Sequence, residues 1–301
     1  MSDIGNVCLL GLGEVGSLLA DDLANDASLV AWDRQFGDPA SVPSQHAGKR
    51  SRLRRAASAE TAVSGCQLVI SAVTAAQDLD AARSILPGLE PGAWFLDLNS
   101  VSPATRRAVA NVTQDAGARY VEGAIMSPIR PKGIASPVLA GGPHASAFVP
   151  LARMLGFTGM TFCAEDLGRA SAIKLCRSVV VKGTESLLAE SLLAARHYGV
   201  DEEVIAALDG FFSHDDLARH AIYMISRSLE HGVRRAEEMR EAASTVAEAG
   251  LEYAMSEASA RSQEQVAQLG QALEQQELGA MLDAMLAIRR SRDATMEKQI
   301  R

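Results

Sequence analysis

What this chain has little of narrows its class first. Only 4% of its 301 residues are aromatic, and its four cysteines, Cys8, Cys66, Cys163 and Cys176, lie far apart with no CxxC pair. That spacing argues against a zinc ribbon or a thiol redox motif. Met1-Ser2-Asp3 carries no basic region and no cleavage site follows, so we expect no signal peptide, reduced thiols and a cytoplasmic location. Apolar runs of about 18 residues are missing, which argues against a spanning helix. Positive charge is in deficit: 29 Lys and Arg stand against 37 Asp and Glu, for a net charge of −8. That balance disfavours nucleic acid or an anionic membrane as partner. The six histidines form no HExxH and share no ligand spacing with the cysteines, and no GxSxG elbow occurs, so neither a metal site nor a serine hydrolase is expected.

What remains is ordinary globular composition, 48% hydrophobic and 22% charged, enough apolar surface to fold. Proline divides the chain. All ten prolines lie at or before Pro150. Residues 1–164 carry 13 basic and 14 acidic side chains, whereas 165–301 carry 16 and 23. The first half alternates short apolar runs with helix-length segments, which predicts strands over 6–10, 29–32, 68–72, 94–98, 119–121 and 138–140 joined as βαβ units into a parallel sheet. The proline-free second half predicts a long helix over 167–197, further helices over 201–212, 215–230, 232–248, 262–275 and 277–290, and a charged tail from 289. The expected class is α/β, a Rossmann-type doubly wound sheet in 1–164 followed by an all-α domain in 165–301. Leu187, Leu188, Leu192 and Ala195 give the long helix apolar positions spaced for packing.

Gly11-Leu12-Gly13-Glu14-Val15-Gly16 follows the first strand and opens a helix. In such a loop the first glycine permits a tight turn, the second lets a pyrophosphate approach the backbone, and the third lets helix pack on strand. The helix N-terminus offers unpaired N–H groups and a positive dipole to the phosphates. A second strand ends at Trp32-Asp33, where Asp33 can accept hydrogen bonds from adenosine ribose hydroxyls. An ordinary tight turn would not bring strand, glycines, helix, strand and acid in this order. The cofactor reads as NAD or NADP. Asp33 favours NAD because a carboxylate repels a 2′-phosphate, while Arg34 and the run Lys49, Arg50, Arg52, Arg54 and Arg55 offer cations that could receive one. Val73, Thr74, Asn99 and Ser100 follow the third and fourth strands, at the carboxyl edge where open sheets bind ligands, and we expect them near the nicotinamide and its ribose.

Across nearly its whole length the chain resembles the β-hydroxyacid dehydrogenase superfamily, which includes 3-hydroxyisobutyrate dehydrogenase, the 6-phosphogluconate dehydrogenases and the imine reductases. Gly11–Gly16 is similar to the family's opening loop, and Asp97-Leu98-Asn99-Ser100-Val101-Ser102-Pro103 to its D-x-S-T-x-x-P segment. Residues 122–142 occupy the place of its substrate loop. Gly168-Arg169-Ala170-Ser171-Ala172-Ile173-Lys174 resembles the segment opening its long interdomain helix. Met126-Ser127-Pro128 and the stretch 231–239 resemble a phosphogluconate-dehydrogenase-like subgroup with a short helical C-terminal domain. The chain departs from the family in two places. Met126-Ser127-Pro128 replaces the usual Ser-Gly-Gly, and Pro128 offers no N–H to a carboxylate. Ser178 stands where the family has asparagine.

The resemblance implies NAD(P)-dependent hydride transfer to or from a small anionic hydroxy acid or its oxo or semialdehyde form, with Lys174 as general acid and base. Arg177, three residues on, shares a helix face with Lys174 and could lower its pKa or grip a substrate carboxylate. Ser127, Ser178 and Ser100 are candidate substrate contacts. Arg234 resembles the position of a C-terminal-domain lysine that reaches the family's active site. Arg130 and Lys132 read as solvated. The alternatives are imine reduction on the same fold and a dinucleotide-binding redox sensor without turnover. A homodimer through the helical domain is expected, because so short a helical domain with few aromatics has apolar surface left to bury.

Overall fold

The structure, a computed structural model, describes residues 4–24, 27–212, 217–248 and 250–300. The chain divides into two compact units, Met1–Val179 and Val180–Arg301.

The first unit is built on one sheet. Its strands are β1 (Asn6–Leu10), β2 (Ser28–Trp32), β3 (Leu53–Arg55), β4 (Leu68–Ser71), β5 (Trp94–Asp97), β6 (Arg119–Ile125), β7 (Val138–Gly141) and β8 (Met160–Ala164), in the spatial order β3-β2-β1-β4-β5-β6-β7-β8. From β3 through β6 neighbours pair in parallel; β7 pairs antiparallel with β6, and β8 runs parallel to β7. The helices between them are α1 (Glu14–Leu23), α2 (Val42–Gly48), α3 (Ala59–Val63), α4 (Asp78–Ile85), α5 (Pro103–Asp115) and α6 (Ala145–Met154). Helices cover both faces, so the central strands are apolar in every position rather than in alternate ones. Val7, Leu9, Leu68, Ile70 and Leu96 pack into one core with Leu19 and Phe148. Cys8, Leu10, Val69 and Phe95 pack into the other with Val109 and Tyr120.

A long helix, α7 (Arg169–Tyr198), runs from the first unit into the second, and the units divide within it rather than at residue 164. The second unit continues with α8 (Asp201–Phe212), α9 (Leu217–Glu248), α10 (Ala254–Ala267) and α11 (Leu278–Ile300). Leu229, Ala272 and Met281 centre its core, with Ile225, Val266 and Leu269 packed around them.

Several sequence expectations are corrected. The edge strands β3 and β8 go unread: β3 is only three residues, two of them the exposed Arg54 and Arg55, and β8 lies at the edge with Thr161 and Phe162 exposed. The sheet is not wholly parallel, because β6 and β7 are joined by a loop that reverses direction. The helices expected over 215–230 and 232–248 are one, α9, running through Gly232. There glycine serves close packing rather than a stop, since a Cβ would lie 2.4 Å from the Gln263 carbonyl oxygen on α10. The charged tail continues α11. On α7, Ala195 is buried, Leu192 half-buried and Leu187 exposed, while the Leu188 side chain lies outside the described residues. No helix among the described residues is long and apolar enough to cross a membrane.

Candidate active site

The glycine loop is shaped by what a side chain would strike. Gly11 has φ +92°, and a Cβ there would lie 2.6 Å from the Ala72 carbonyl oxygen. At Gly16 a Cβ would lie 2.1 Å from the Gly11 carbonyl oxygen. At Gly13, by contrast, a Cβ would meet nothing within 4 Å, and that residue caps α1 with no side-chain hydrogen bond to the helix N–H groups. The first and third glycines therefore build the turn, and the second leaves open space over a helix N-terminus. This is a cradle of the kind a pyrophosphate fits.

Beside it lies a cavity of about 490 Å³, a size common to small-molecule sites. Gly11, Gly13, Glu14, Val15, Asp33, Arg34, Val73 and Thr74 line it, with Trp32, Gln77 and Ala81 among their neighbours. Two residues expected here work from behind. Leu12 is fully buried and contributes its N–H, which donates to Asp33 Oδ2 at 2.9 Å. Gly16 acts through packing. The other Asp33 oxygen accepts the Gln35 N–H at 2.9 Å, so the carboxylate ties the end of β2 to the glycine loop. Arg34 Nη1 donates to Gln77 Oε1 at 2.6 Å. The basic run lies elsewhere: Arg50 pairs with Asp21 at 2.6 Å, and the Arg55 guanidinium stacks over Phe36. Among the described residues Arg34 is the only cation lining the cavity.

Further along the same sheet edge, Lys174 Nζ donates to Ser100 Oγ at 2.7 Å. Ser100 follows β5 and Lys174 lies in the second turn of α7, 74 residues away in sequence. Asn99, expected at the cofactor, is buried instead. Its Nδ2 donates to Ser71 Oγ at 2.9 Å and to Asp78 Oδ1 at 2.7 Å, so the amide N–H groups face the interior, while the buried Oδ1 accepts no hydrogen bond. Arg177 is exposed, Ser178 half-buried, and both lie on α7 within the first unit. Ser127 Oγ donates to the Pro128 carbonyl at 3.1 Å. Its loop folds back on α1, where the Ile134 N–H donates to Asp22 Oδ2 at 2.8 Å and Arg130 stands 3.9 Å from Glu14. Arg234 is exposed on α9 of the second unit, and His231 there stands 3.3 Å from Glu230.

Beneath Ser100 lies a charged network that the sequence reading missed. Arg106 is 1% exposed. It pairs with Asp97 Oδ1 at 2.6 Å and donates to the carbonyls of Asp97, Asn99 and Gly123. Tyr120 donates to Asp97 Oδ2 at 2.8 Å, and burial pushes its phenol well up. Burial, then the charge of Asp97, pushes the Asp78 carboxyl up to about 7, with Arg106 opposing. A signal for Arg106 existed: it shares the buried face of α5 with Val109, Ala110 and Thr113. A charge in an apolar stripe requires a buried counter-charge. Glu122, fully buried on β6, accepts the N–H groups of Gly168 and Ser171, the latter at 2.6 Å. Among the described residues no cluster of His, Cys, Asp and Glu is placed to hold a metal ion.

Comparison with known proteins follows the same division. Residues 6–156 match the NAD binding domain of 6-phosphogluconate dehydrogenase. Residues 195–266 match a domain of unknown function, DUF1932. No curated protein sequence matches. Among solved structures, a conserved hypothetical protein from Sinorhizobium meliloti 1021 is 30% identical over 95% of this chain and 97% of its own, with a TM-score of 0.58. A conserved protein of unknown function, structurally similar to 3-hydroxyacid dehydrogenases, is 29% identical over 87% of this chain and 97% of its own, with a TM-score of 0.55. An imine reductase from Myxococcus stipitatus in complex with NADP+ is 18% identical over 93% of this chain and 99% of its own, with a TM-score of 0.68, a likeness of fold.

Proposed function

The chain belongs to the family defined by the NAD binding domain of 6-phosphogluconate dehydrogenase, with the fold of the 3-hydroxyacid dehydrogenases, and from that premise we propose an NAD(P)-dependent oxidoreductase for a small anionic hydroxy acid or its oxo or semialdehyde form. The observation that carries this is the 2.7 Å contact between Lys174 Nζ and Ser100 Oγ. It pairs an amine able to take or give a proton with a hydroxyl able to orient the reacting oxygen.

Gly11, Gly13 and the first turn of α1 would hold the pyrophosphate, Asp33 the adenosine ribose, and Val73 and Thr74, on the same cavity wall, the nicotinamide side. When bound, the dinucleotide supplies or accepts the hydride. The protein's own part is proton management. In oxidation neutral Lys174 takes the hydroxyl proton at Nζ; in reduction the ammonium returns it to the carbonyl oxygen. Ser100 holds the amine in line, and Arg177, one turn further on the same helix, offers a cation to a substrate carboxylate. Asp33 on the cavity wall favours NAD over NADP, with Arg34 as the opposing influence. The apolar Val180 on α7 and Val233 on α9, 68% and 63% exposed, support a homodimer.

The test is a screen of small hydroxy acids, semialdehydes and cyclic imines with NADH, NADPH and their oxidised forms. Turnover of an oxo acid or hydroxy acid, faster with NAD(H), supports the reading. Turnover of imines alone replaces it with imine reduction, and tight dinucleotide binding without any turnover replaces it with a redox sensor.

A further inference from the structure

The two members of the Lys174–Ser100 pair come from distant segments, so something must fix their separation. Neither surface loops nor the lysine's own flexible stem can do so; a four-carbon chain has many rotamers. One buried side chain touches both segments. The Arg106 guanidinium donates through Nη2 to the carbonyl of Asn99, whose peptide leads directly into Ser100. Through Nε it donates to Ser171 Oγ at 2.9 Å. Ser171 lies three residues before Lys174, one turn along the same face of α7. Arg106 is itself immobilised, being 1% exposed and paired with Asp97.

A second buried group fixes the helix end. The Glu122 carboxylate accepts the Gly168 and Ser171 N–H groups, which α7 cannot satisfy internally, and places negative charge where the helix dipole favours it. Gly168 seats that end against α5, since a Cβ there would lie 2.7 Å from Pro103 Cβ. Ser171 is thus held twice, by its backbone on β6 and by its hydroxyl on α5.

We propose that Arg106 and Glu122 are positioning residues that set the distance between Lys174 and Ser100, with Ser171 as the handle through which they act. The geometry gives Ser171 no direct part in chemistry, as it is 2% exposed. This rests on Lys174 carrying the proton.

The test is a double-mutant cycle on the full-length enzyme with Ser171→Ala, Lys174→Ala and the pair, measuring kcat, KM and NADH affinity. Ser171→Ala deletes one hydrogen bond and leaves the Arg106–Asp97 pair intact. We expect kcat to fall about tenfold, with KM and NADH Kd within twofold of the parent. In the Lys174→Ala background the same change should cost nothing further, because the only group it positions is gone. Unchanged kcat in Ser171→Ala overturns the proposal. So does a parallel loss of NADH affinity, which marks general damage, or a further loss in the double variant, which marks action by another route. Near-normal turnover in Lys174→Ala is a separate outcome: it removes the proton-transfer reading on which the proposal stands.

Discussion

Beside β1 the site is made of backbone, whereas beside β5 it is made of buried side chains. At the glycine loop the recognition groups are N–H groups at a helix start, exposed because Gly13 carries no Cβ. Below Ser100 the same sheet edge is held by Arg106, Asp97, Asn99, Asp78, Tyr120 and Glu122, none more than 3% exposed. The first arrangement suits a polyanion that must be gripped but not altered. The second suits proton transfer, where a small displacement of one side chain matters. The two regions should therefore fail differently when disturbed.

The largest effect is expected in the buried region. Arg106→Met leaves Asp97 without its counter-charge and should destabilise the protein by about 3–5 kcal/mol in urea unfolding. A loss below about 1 kcal/mol would mean the network is slack and the contrast overstated. In the loop, Gly16→Ala drives a Cβ to 2.1 Å from the Gly11 carbonyl oxygen. It should cost about 2–3 kcal/mol and weaken NADH binding together with stability.

Asp78 gives the contrast a pH dependence. Its folded carboxyl titrates at about 7 against an ordinary value of 3.8. The folded state thus retains a proton that the unfolded chain releases, so the group's contribution is most favourable below about pH 4 and is lost as pH rises through 7. Asp78→Asn can keep the hydrogen bond from Asn99 without the charge. It should raise stability on the order of 2 kcal/mol at pH 8 and leave it nearly unchanged at pH 4, read as Tm against pH. Equal effects at both pH values would contradict that assignment. The smallest effect is expected at Arg34. Arg34→Ala should lower NADP affinity about tenfold and NAD affinity less than threefold, as titration by calorimetry would register.

The same contrast explains what could be read from the sequence. The glycine loop and Asp33 are legible because their partners are close along the chain, and β1, β2, β4 and β5 because buried parallel strands are continuous apolar runs. Lys174 becomes a candidate only through the resemblance of 168–174 to a family segment; a lone lysine on a helix has no local mark. Its contact with Ser100 spans 74 residues. Glu122 and Arg106 reach Ser171 across 49 and 65 residues, on elements whose pairing no local pattern encodes. Asn99 follows a strand, which points to the cofactor, but Asp78 and Ser71, distant in sequence, turn its side chain into the interior.

On the proposed reading, the dinucleotide grip and the proton transfer are separable functions of these two regions. Lys174→Ala, assayed for turnover and for NADH affinity on the same preparation, tests it most directly. The expected result is a loss of turnover of about a hundredfold to ten-thousandfold with NADH Kd within twofold of the parent, and no rescue by Lys174→Arg, whose guanidinium holds its proton. Near-normal turnover, or a fall in NADH affinity that matches the fall in rate, would contradict it.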